Sequence, residues 1–186
     1  YNPSTPYAVS KAAADMNLMT FLRQYDFPAV FTRSANVYGP GQQLYRIIPK
    51  AILSFLSGDV FKLHGGGTSV RSFIHINDVA EGTLAAMRNG EPGDIFHFAA
   101  PDSLSIRDLV KKIADKLNVP FEKNVVDVGE RPGKDAAYQL DCSHTSEKLG
   151  WKAHIDLDSG IDETVKWVEK NFDRLKQENW HYVHKI

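Results

Sequence analysis

The sequence predicts a mixed fold, α/β or α+β, for a chain of 186 residues. Segments with the 3.6-residue periodicity of amphipathic helices alternate with short apolar runs rich in β-branched residues, which are typical of strands. No internal repeat and no shift in composition marks a second domain within the chain. This alternation, in a chain of this length, favours one globular unit with its own core.

The first helix is predicted to begin near Pro6. Thr5 can cap it, proline suits the first helical position, and the alanines that follow favour its continuation. After the helical periodicity ends at Tyr25, the apolar run 26–34 predicts a buried strand. The chain therefore starts with a helix that leads into a strand.

The middle of the chain predicts a loop, a helix and a hairpin. The loop covers residues 36–43, and Pro49 is expected to open a helix that Gly58 closes. Residues 60–76 predict two short strands around the turn Gly65–Gly67. Because this glycine run lacks the spacing and the Lys-Ser/Thr of a P-loop, a hairpin turn is favoured over a phosphate-binding loop.

The next segment predicts two helices with a strand between them. Asn77 and Asp78 are expected to cap the first helix, and residues 93–100 predict the strand. The second helix, with Ser105 as its cap, is the clearest amphipathic helix of the chain. Its apolar face consists of Ile106, Leu109, Val110, Ile113 and Leu117.

The last third of the chain predicts a strand and two helices. The strand covers residues 124–128, and the charged, turn-rich segment 129–141 follows it. A short helix is expected to end within 148–151, and a last helix starts at Asp158. Apolar residues recur at helical spacing in that last helix, at Ile161, Val165, Val168, Phe172 and Leu175.

Charge and composition exclude several kinds of partner. The formal net charge is −1 and the basic residues are scattered, so the chain has no electrostatic footprint for nucleic acid. No apolar run is long enough to span a bilayer and no signal-peptide pattern is present, so no membrane partner is expected. Cys142 is the sole cysteine, which excludes an internal disulfide. No metal site is predicted, and the cytoplasm is the expected location.

Tyr7 and Lys11 are the strongest candidates for catalytic chemistry. They stand four residues apart in the first predicted helix, so the phenol and the ammonium share one face. A neighbouring positive charge favours the phenolate and lowers the pKa of a tyrosine from about 10. Such a tyrosine can exchange a proton with a hydroxyl or carbonyl, and the lysine can donate to a ribose hydroxyl. The same spacing also occurs by chance on exposed helices.

Two arginines and two histidines are further candidates. Arg71 and Arg131 lie near turns and can place their guanidinium forks on phosphate oxygens, although an exposed, solvated arginine is the alternative for each. His75, in a strand-like run, is predicted to be a structural side chain. His97 stands between two phenylalanines and faces either the core or a cleft.

Five segments, in this order, resemble a known family: 4–15 (STPYAVSKAAAD), 32–42 (TRSANVYGPGQ), 47–52 (IIPKAI), 63–82 (LHGGGTSVRSFIHINDVAEG), and 129–141 (GERPGKDAAYQLD) with 148–151 (KLGW). Together they span nearly the whole chain. They resemble the C-terminal part of extended short-chain dehydrogenases/reductases that act on nucleotide sugars, and most closely the dTDP-glucose 4,6-dehydratases.

The resemblance implies an α/β fold, namely the C-terminal portion of a Rossmann-type enzyme with its smaller α/β substrate-binding domain. Residues 1–40 would be a remnant of the NAD-binding domain, and residues 41–186 mainly the nucleotide-sugar domain, with the chain interleaving between the two. NAD is the implied cofactor. Its glycine-rich turn and the Thr-Asp-Glu group of such dehydratases would lie before Tyr1. Since the chain also lacks an initial Met, we expect a piece of a longer protein that is inactive alone.

The resemblance also assigns roles to the Tyr-x-x-x-Lys pair. Tyr7 would remove the proton of the C4 hydroxyl of the sugar. Lys11 would hold the nicotinamide ribose and lower the tyrosine pKa, so both residues count as catalytic and as cofactor-binding. The implied substrate-binding residues hold the diphosphate or close over the nucleotide: Asn36, Arg46, Arg71, Arg131 and Tyr138.

The sequence departs from the dehydratase pattern in one short segment and at four further positions. Where such dehydratases usually carry Glu-Lys-Leu-Ile-Pro, residues 45–49 read YRIIP, and Arg46 keeps the positive charge of that lysine. Such dehydratases usually carry asparagine, an acid, histidine and a nucleotide-stacking tyrosine where this chain has Val37, Ser72, Lys134 and His64, respectively. These differences leave the nucleobase and the sugar open. The arginines implied for the diphosphate are present.

The leading prediction is an NAD-dependent nucleotide-sugar 4,6-dehydratase, whose cycle is oxidation at C4, loss of water across C5 and C6, and return of the hydride. An NAD-dependent nucleotide-sugar 4-epimerase is the alternative within the same fold. A non-catalytic nucleotide-sugar-binding domain is the second alternative. The resemblance further implies a homodimer formed through the helix that bears Tyr7.

Overall fold

The computed structural model describes residues 2–3, 5–129, 137 and 139–180. Its helices are α1 (Pro6–Tyr25), α2 (Ile47–Ser57), α3 (Ile76–Asn89), α4 (Ile106–Lys116), α5 (Phe121–Asn124), α6 (Ser143–Leu149), α7 (Leu157–Lys170) and α8 (Phe172–Leu175). Its strands are β1 (Phe31–Ser34), β2 (Asn36–Tyr38), β3 (Phe61–His64), β4 (Val70–Arg71), β5 (Phe73–His75), β6 (Ile95–Phe98), β7 (Leu104–Ser105) and β8 (Val125–Val128).

Helices α1 and α4 confirm the predictions made from their caps. Thr5 Oγ1 accepts a hydrogen bond from the Ala8 N–H at 3.1 Å, and Pro6 is the first residue of α1. Ser105 Oγ accepts from the Asp108 N–H at 3.0 Å at the start of α4. The side chains of α4 that were predicted to face the core do so, because Leu109, Val110 and Ile113 are fully buried.

The hairpin predicted around Gly65–Gly67 is wrong. These glycines form a 3₁₀ turn, and the strands on either side of it pair elsewhere. β3 pairs in parallel with β8, β5 pairs in parallel with β2, and the short β4 pairs antiparallel with β7. A Cβ on Gly67 would lie 2.8 Å from the Arg107 backbone nitrogen, so the close approach of the turn to α4 requires glycine there.

The cap predicted for α3 is also wrong. His75, one residue before the helix, is its N-cap, and its Nδ1 accepts from the Asn77 N–H at 3.3 Å. Asp78 is instead fully buried in the first turn of α3. Its carboxylate accepts from the backbone N–H groups of His154 (3.3 Å) and Ile155 (3.2 Å). The carboxylate therefore ties α3 to the segment that precedes α7 and does not cap its own helix.

Two further helix boundaries differ from the sequence prediction. α2 begins at Ile47, two residues before Pro49, and Gly58 closes it in the left-handed conformation as expected. The last predicted helix is divided into α7 and α8, and the cap of α7 is Asp156 rather than Asp158. The start of α2 and the cap of α7 each differ from the prediction by two residues, which is a common difference at helix ends.

The strands that carry the architecture are mostly parallel. In the described part of the chain they form four two-stranded pairs, of which β1–β6, β2–β5 and β3–β8 are parallel. A parallel pair needs a crossover connection, and helices supply it here: α2 and α3 lie between the strands of the β1–β6 pair. Of the two fold classes that the sequence left open, the fold is therefore α/β.

The buried apolar side chains of the described residues form two clusters. The larger one packs α2, α4 and α7 against β3 and includes Ile52, Leu109 and Ile161. The smaller one packs β5, β6 and α3 around Phe96, Phe98 and Trp151. Both clusters draw residues from distant parts of the chain. None of the helices in the described ranges has the length and apolar character needed to cross a membrane.

Candidate active site

A cleft of about 1120 Å³ opens between the start of α1, the loop after β2, the start of α2, and β3. Its volume lies slightly above the range of about 300–1,000 Å³ that is usual for small-molecule pockets. Residues 34–43 form a continuous part of its wall. This wall includes the segment NVYGPG, whose backbone conformation depends on two glycines, Gly39 (φ 146°) and Gly41 (φ 82°).

Tyr7 lies on the wall of this cleft. It stands in the first turn of α1 and 75% of its side chain is exposed. Lys11, one helical turn later, is also exposed but is absent from the described part of the cleft wall. The helix spans both residues without interruption, so positions i and i+4 share one face. Both polar ends remain accessible to a ligand that enters from the side of α1.

Asn36 and Arg46 also line the cleft. The Asn36 Nδ2 donates to the Ser72 carbonyl oxygen at 3.1 Å, which orients the amide across the β2–β5 pair. Arg46 is the exposed N-cap of α2, and its guanidinium lies 5.4 Å from the centre of the Tyr45 ring. Each side chain is thus positioned by its own element at the edge of the opening.

Arg71, another predicted substrate-binding residue, is not in this group. Arg71 is half-buried in β4, where its Nη1 donates to the Val70 carbonyl oxygen at 2.8 Å. It does not line the cleft as far as the structure describes that wall. Arg131 and Tyr138 lie outside the described residues, so the diphosphate grip expected from Arg71 and Arg131 stays a prediction.

The charged side chains on the described part of the cleft wall are basic. Arg46, Lys50 and Lys62 line it together with His64, and no carboxylate side chain is among its described lining residues. The motifs singled out from the sequence did not include Lys50 or Lys62. Two spacings point to them: Lys50 is four residues after Arg46 on α2, and Lys62 is two residues before His64 on β3. Such a cationic cleft favours an anionic ligand such as a diphosphate.

Tyr38 also belongs to the cleft wall but, unlike Tyr7, it is almost fully buried. Burial raises its pKa far above the usual value, and the carboxylates of Asp156 and Asp78 raise it further. Its ring meets that of His75 edge to face, with the ring centres 5.4 Å apart. With 1% of its surface exposed, Tyr38 is a packing residue, whereas the hydroxyl of the exposed Tyr7 can meet a ligand.

His75 and His97 are placed by structural contacts. His75 is fully buried, and its Nε2 lies 3.4 Å from the Glu163 carboxylate, in line with the structural role predicted for it. His97 Nδ1 lies 3.0 Å from the Asp141 carbonyl oxygen, away from the described cleft wall.

Burial raises the pKa of the Cys142 thiol, so that thiol is not an activated nucleophile. No group of His, Cys, Asp and Glu able to hold a metal ion occurs among the residues described.

Parallel strands joined by helices, with Tyr7 and Lys11 on a helix beside a cationic cleft, define a Rossmann-type short-chain dehydrogenase/reductase. A family model supports this assignment. Residues 1–99 match the model of the NAD dependent epimerase/dehydratase family, and the chain belongs to that family.

Relatives of known name agree with the family. A human dTDP-D-glucose 4,6-dehydratase is 35% identical over 188 residues, which cover 98% of this chain and 52% of the human protein. The structure of the dTDP-glucose 4,6-dehydratase DesIV from Streptomyces venezuelae, with NAD and TYD bound, superposes with a TM-score of 0.89 at 31% identity, covering 92% of this chain and 53% of that one.

An epimerase is also structurally similar. The UDP-glucose 4-epimerase of Thermotoga maritima, in a structure with UDP-glucose, gives a TM-score of 0.86 at 28% identity, covering 92% of this chain and 55% of that one. The chain thus spans about half the length of each of these three relatives.

Proposed function

We propose that this chain is part of an NAD-dependent nucleotide-sugar 4,6-dehydratase. The observation that carries the proposal is the cleft itself, which combines an exposed Tyr7 with the cations of Arg46, Lys50 and Lys62 and has no carboxylate among its described lining residues. A nucleotide sugar needs both features, because its diphosphate is an anion and its sugar carries the hydroxyl that is oxidised. The names of the relatives support the same activity.

The proposed role of Tyr7 is that of the proton acceptor. Its phenolate takes the proton from the C4 hydroxyl of the sugar and later returns a proton to the same oxygen. The ammonium of Lys11, on the same face of α1, favours the phenolate and donates a hydrogen bond to a ribose hydroxyl of the cofactor. Bound NAD supplies the hydride acceptor and donor. The exposed side chains of Tyr7 and Lys11 fit this contact, since neither is occupied by packing in α1.

The substrate is held, in this proposal, by residues on the opposite side of the cleft. The guanidinium of Arg46 attracts the diphosphate, and the oriented amide of Asn36 contributes a polar contact near it. Arg71, Arg131 and Tyr138 complete the predicted set. In the family pattern Arg71 and Arg131 grip the diphosphate, and Tyr138 lies in the segment that closes over the nucleotide.

We also propose the domain division implied by the family. Residues 1–40 belong to the cofactor-binding part, and residues 41–186 mainly to the substrate-binding part, with the chain crossing between them. The two buried clusters support this interleaving. The smaller cluster contains Ala35, Ile74 and Trp151, which come from both of those ranges.

The direct test is Tyr7→Phe in the intact natural protein. Removing one hydroxyl should lower kcat by about 10² to 10⁴-fold and leave the dissociation constant of the nucleotide sugar nearly unchanged. Tyr25→Phe is the matched control, because Tyr25 is an equally exposed tyrosine at the far end of the same helix. A Tyr7→Phe protein as active as the Tyr25→Phe protein would refute the role of Tyr7.

The second candidate is a nucleotide-sugar 4-epimerase, favoured by the structural similarity to the Thermotoga maritima enzyme. NMR of the product separates the two reactions. A 4-keto-6-deoxy sugar supports the dehydratase, whereas a sugar inverted at C4 establishes the epimerase. The remaining candidate, a non-catalytic binding domain, predicts neither product together with retained binding of nucleotide sugars.

We further infer a homodimer and a cytoplasmic location. The support for the dimer is α1, which is described along its whole length and buries none of its residues. It exposes Val9, Met16, Phe21 and Tyr25, and such an apolar surface favours association. The support for the location is the composition, since the chain has one cysteine and so cannot form an internal disulfide. Analytical ultracentrifugation of the intact protein tests the dimer, because a monomer at micromolar concentration would contradict it.

A further inference from the structure

The turn at Gly39 in the cleft wall is supported from behind by the ring of His75. An ideal Cβ placed on Gly39 would lie 3.2 Å from His75 Nε2 and 2.7 Å from Ile76 Cγ2. Gly39 and Ile76 line the cleft, whereas His75 is fully buried and is absent from the described part of the wall. Because the backbone of the turn approaches the ring so closely, the orientation of the ring determines where the wall lies.

Helix α7 packs against this same part of the protein. A Cβ added to Gly160 would overlap the Tyr38 hydroxyl, so α7 approaches the Tyr38 ring at this glycine. Tyr38 and His75 are opposite each other in the β2–β5 pair. Glu163 follows Gly160 by three residues on α7, and its Oε2 lies 3.4 Å from His75 Nε2. The helix therefore contacts both of the aromatic side chains that adjoin the turn.

The hydrogen bonding of the His75 ring indicates where its proton lies. Nδ1 accepts from the Asn77 N–H at 3.3 Å, so the neutral ring carries its proton on Nε2. Nε2 is buried and has no hydrogen-bond partner among the described residues, and a buried donor without an acceptor is costly. The carboxylate of Glu163 stands at the outer limit of a hydrogen bond. Because 51% of its side chain is exposed, it can rotate onto Nε2.

We propose that Glu163 is a positioning residue for the cleft, which accepts the Nε2–H of His75 and thereby holds the ring against Gly39. Without this acceptor the ring turns toward another partner, and the turn at Gly39 loses its support. This turn connects Asn36 to Arg46, so its displacement weakens the binding of the substrate. The effect on the substrate rests on the proposed function, whereas the effect on the order of the turn does not.

Hydrogen–deuterium exchange of the intact protein, followed by mass spectrometry, tests the order of the turn. In Glu163→Ala the backbone N–H groups of residues 37–43 should exchange about fivefold faster, which is the factor expected for one lost hydrogen bond. Glu163→Gln keeps an oxygen that can accept the Nε2–H, so it should restore the natural rate. Glu169→Ala, which removes another exposed acid of α7, is the matched control and should exchange at the natural rate.

Two results of this experiment would overturn the inference. One is equal exchange in Glu163→Ala and Glu169→Ala. The other is a Glu163→Gln protein whose turn exchanges as fast as that of Glu163→Ala, because the contact would then not depend on an acceptor oxygen.

Kinetics give a readout that a general loss of stability would not produce. Glu163→Ala should raise KM for the nucleotide sugar by about fivefold and leave kcat within about twofold, since the wall that holds the substrate moves and Tyr7 does not. Glu163→Gln should recover the natural KM. An unchanged KM in Glu163→Ala would refute the effect on the substrate. If the turn exchanges faster as expected and the natural protein acts on no nucleotide sugar, the proposed function falls and the role of Glu163 in the turn stands.

A double mutant tests whether Glu163 acts through His75. His75→Asn removes the Nε2–H and keeps a side-chain oxygen that can cap α3. In this background Glu163→Ala should change neither the exchange of the turn nor KM. A further increase in either would show that Glu163 acts through another group, which contradicts the inference.

Discussion

Gly39 and Gly41 offer a quantitative test of the cleft wall. Both residues have φ values in the left-handed region, 146° and 82°, which side chains other than glycine rarely adopt. They differ in the space around them. An ideal Cβ on Gly39 would lie 2.7 Å from Ile76 Cγ2 and 3.2 Å from His75 Nε2, whereas no described atom lies within 4 Å of a Cβ on Gly41.

The two alanine substitutions should therefore have different costs. Gly41→Ala adds only backbone strain, which destabilises the protein by about 1–2 kcal/mol. Gly39→Ala has similar strain and must also displace the branched side chain of Ile76 or the buried ring of His75, and this crowding adds about 1–3 kcal/mol. We expect a free energy of unfolding lowered by about 3–4 kcal/mol for Gly39→Ala, about 2 kcal/mol more than for Gly41→Ala.

Urea denaturation followed by far-UV circular dichroism measures both values. The slopes of the transitions should agree between the two variants, so that the midpoints report stability alone. Gly41→Ala is the control for Gly39→Ala, because both substitutions add the same methyl group to the same loop. Equal midpoints for the two variants would show that the loop does not pack on α3 as the structure has it.

Two further predictions concern buried and paired carboxylates. Asp78→Ala should lower the free energy of unfolding by about 2–4 kcal/mol, because two backbone N–H groups and the His154 imidazole lose their buried partner. In urea denaturation Glu81→Ala, which removes an exposed acid of the same helix, should cost less than about 1 kcal/mol, and a smaller loss for Asp78→Ala than for Glu81→Ala would contradict this account. The hydrogen bond from Lys112 holds the pKa of Asp158 below its usual value, and Lys116 lowers it further. A lowered folded-state pKa stabilises the protein above the unfolded value of about 3.9, and this contribution is lost as the pH falls through the folded value. Asp158→Asn should therefore be less stable than the natural protein at about pH 6 and approach it toward about pH 3; a stability gap that stays constant over this range would refute the assignment.

Local signals in the sequence predicted the start of α1 and the cap of α4, but not the caps of α3 and α7. The cap and the apolar face of α4 follow from Ser105 and the spacing of its side chains, and both are confirmed. The hairpin around Gly65–Gly67 was wrong because a turn does not determine which strands pair. β3 pairs with β8, and both α3 and α4 lie between these two strands in the chain. No residue near the turn indicates this pairing.

The candidate site was predictable to a similar extent. Tyr7, Asn36 and Arg46 were named from motifs, and all three line the cleft. Lys62 was missed because the residues around it form no recognisable motif. It is identified as a lining residue only from the structure, where it is the exposed residue of β3. Arg71 was named from its motif as well, but it lies in β4 and does not line the described part of the cleft wall.

The pairing of the strands also has a consequence for synthesis. β1 pairs with β6, and β3 pairs with β8. Neither β1 nor β3 can therefore form its hydrogen bonds until a segment that is translated much later has been synthesised. On the ribosome, α2 emerges long before α4 and α7 can cover Ile48, Ile52 and Leu53, which are fully buried in the finished protein. The nascent chain therefore exposes the apolar face of α2 during much of its elongation. The yield of folded protein should depend on chaperones that bind such exposed apolar helices.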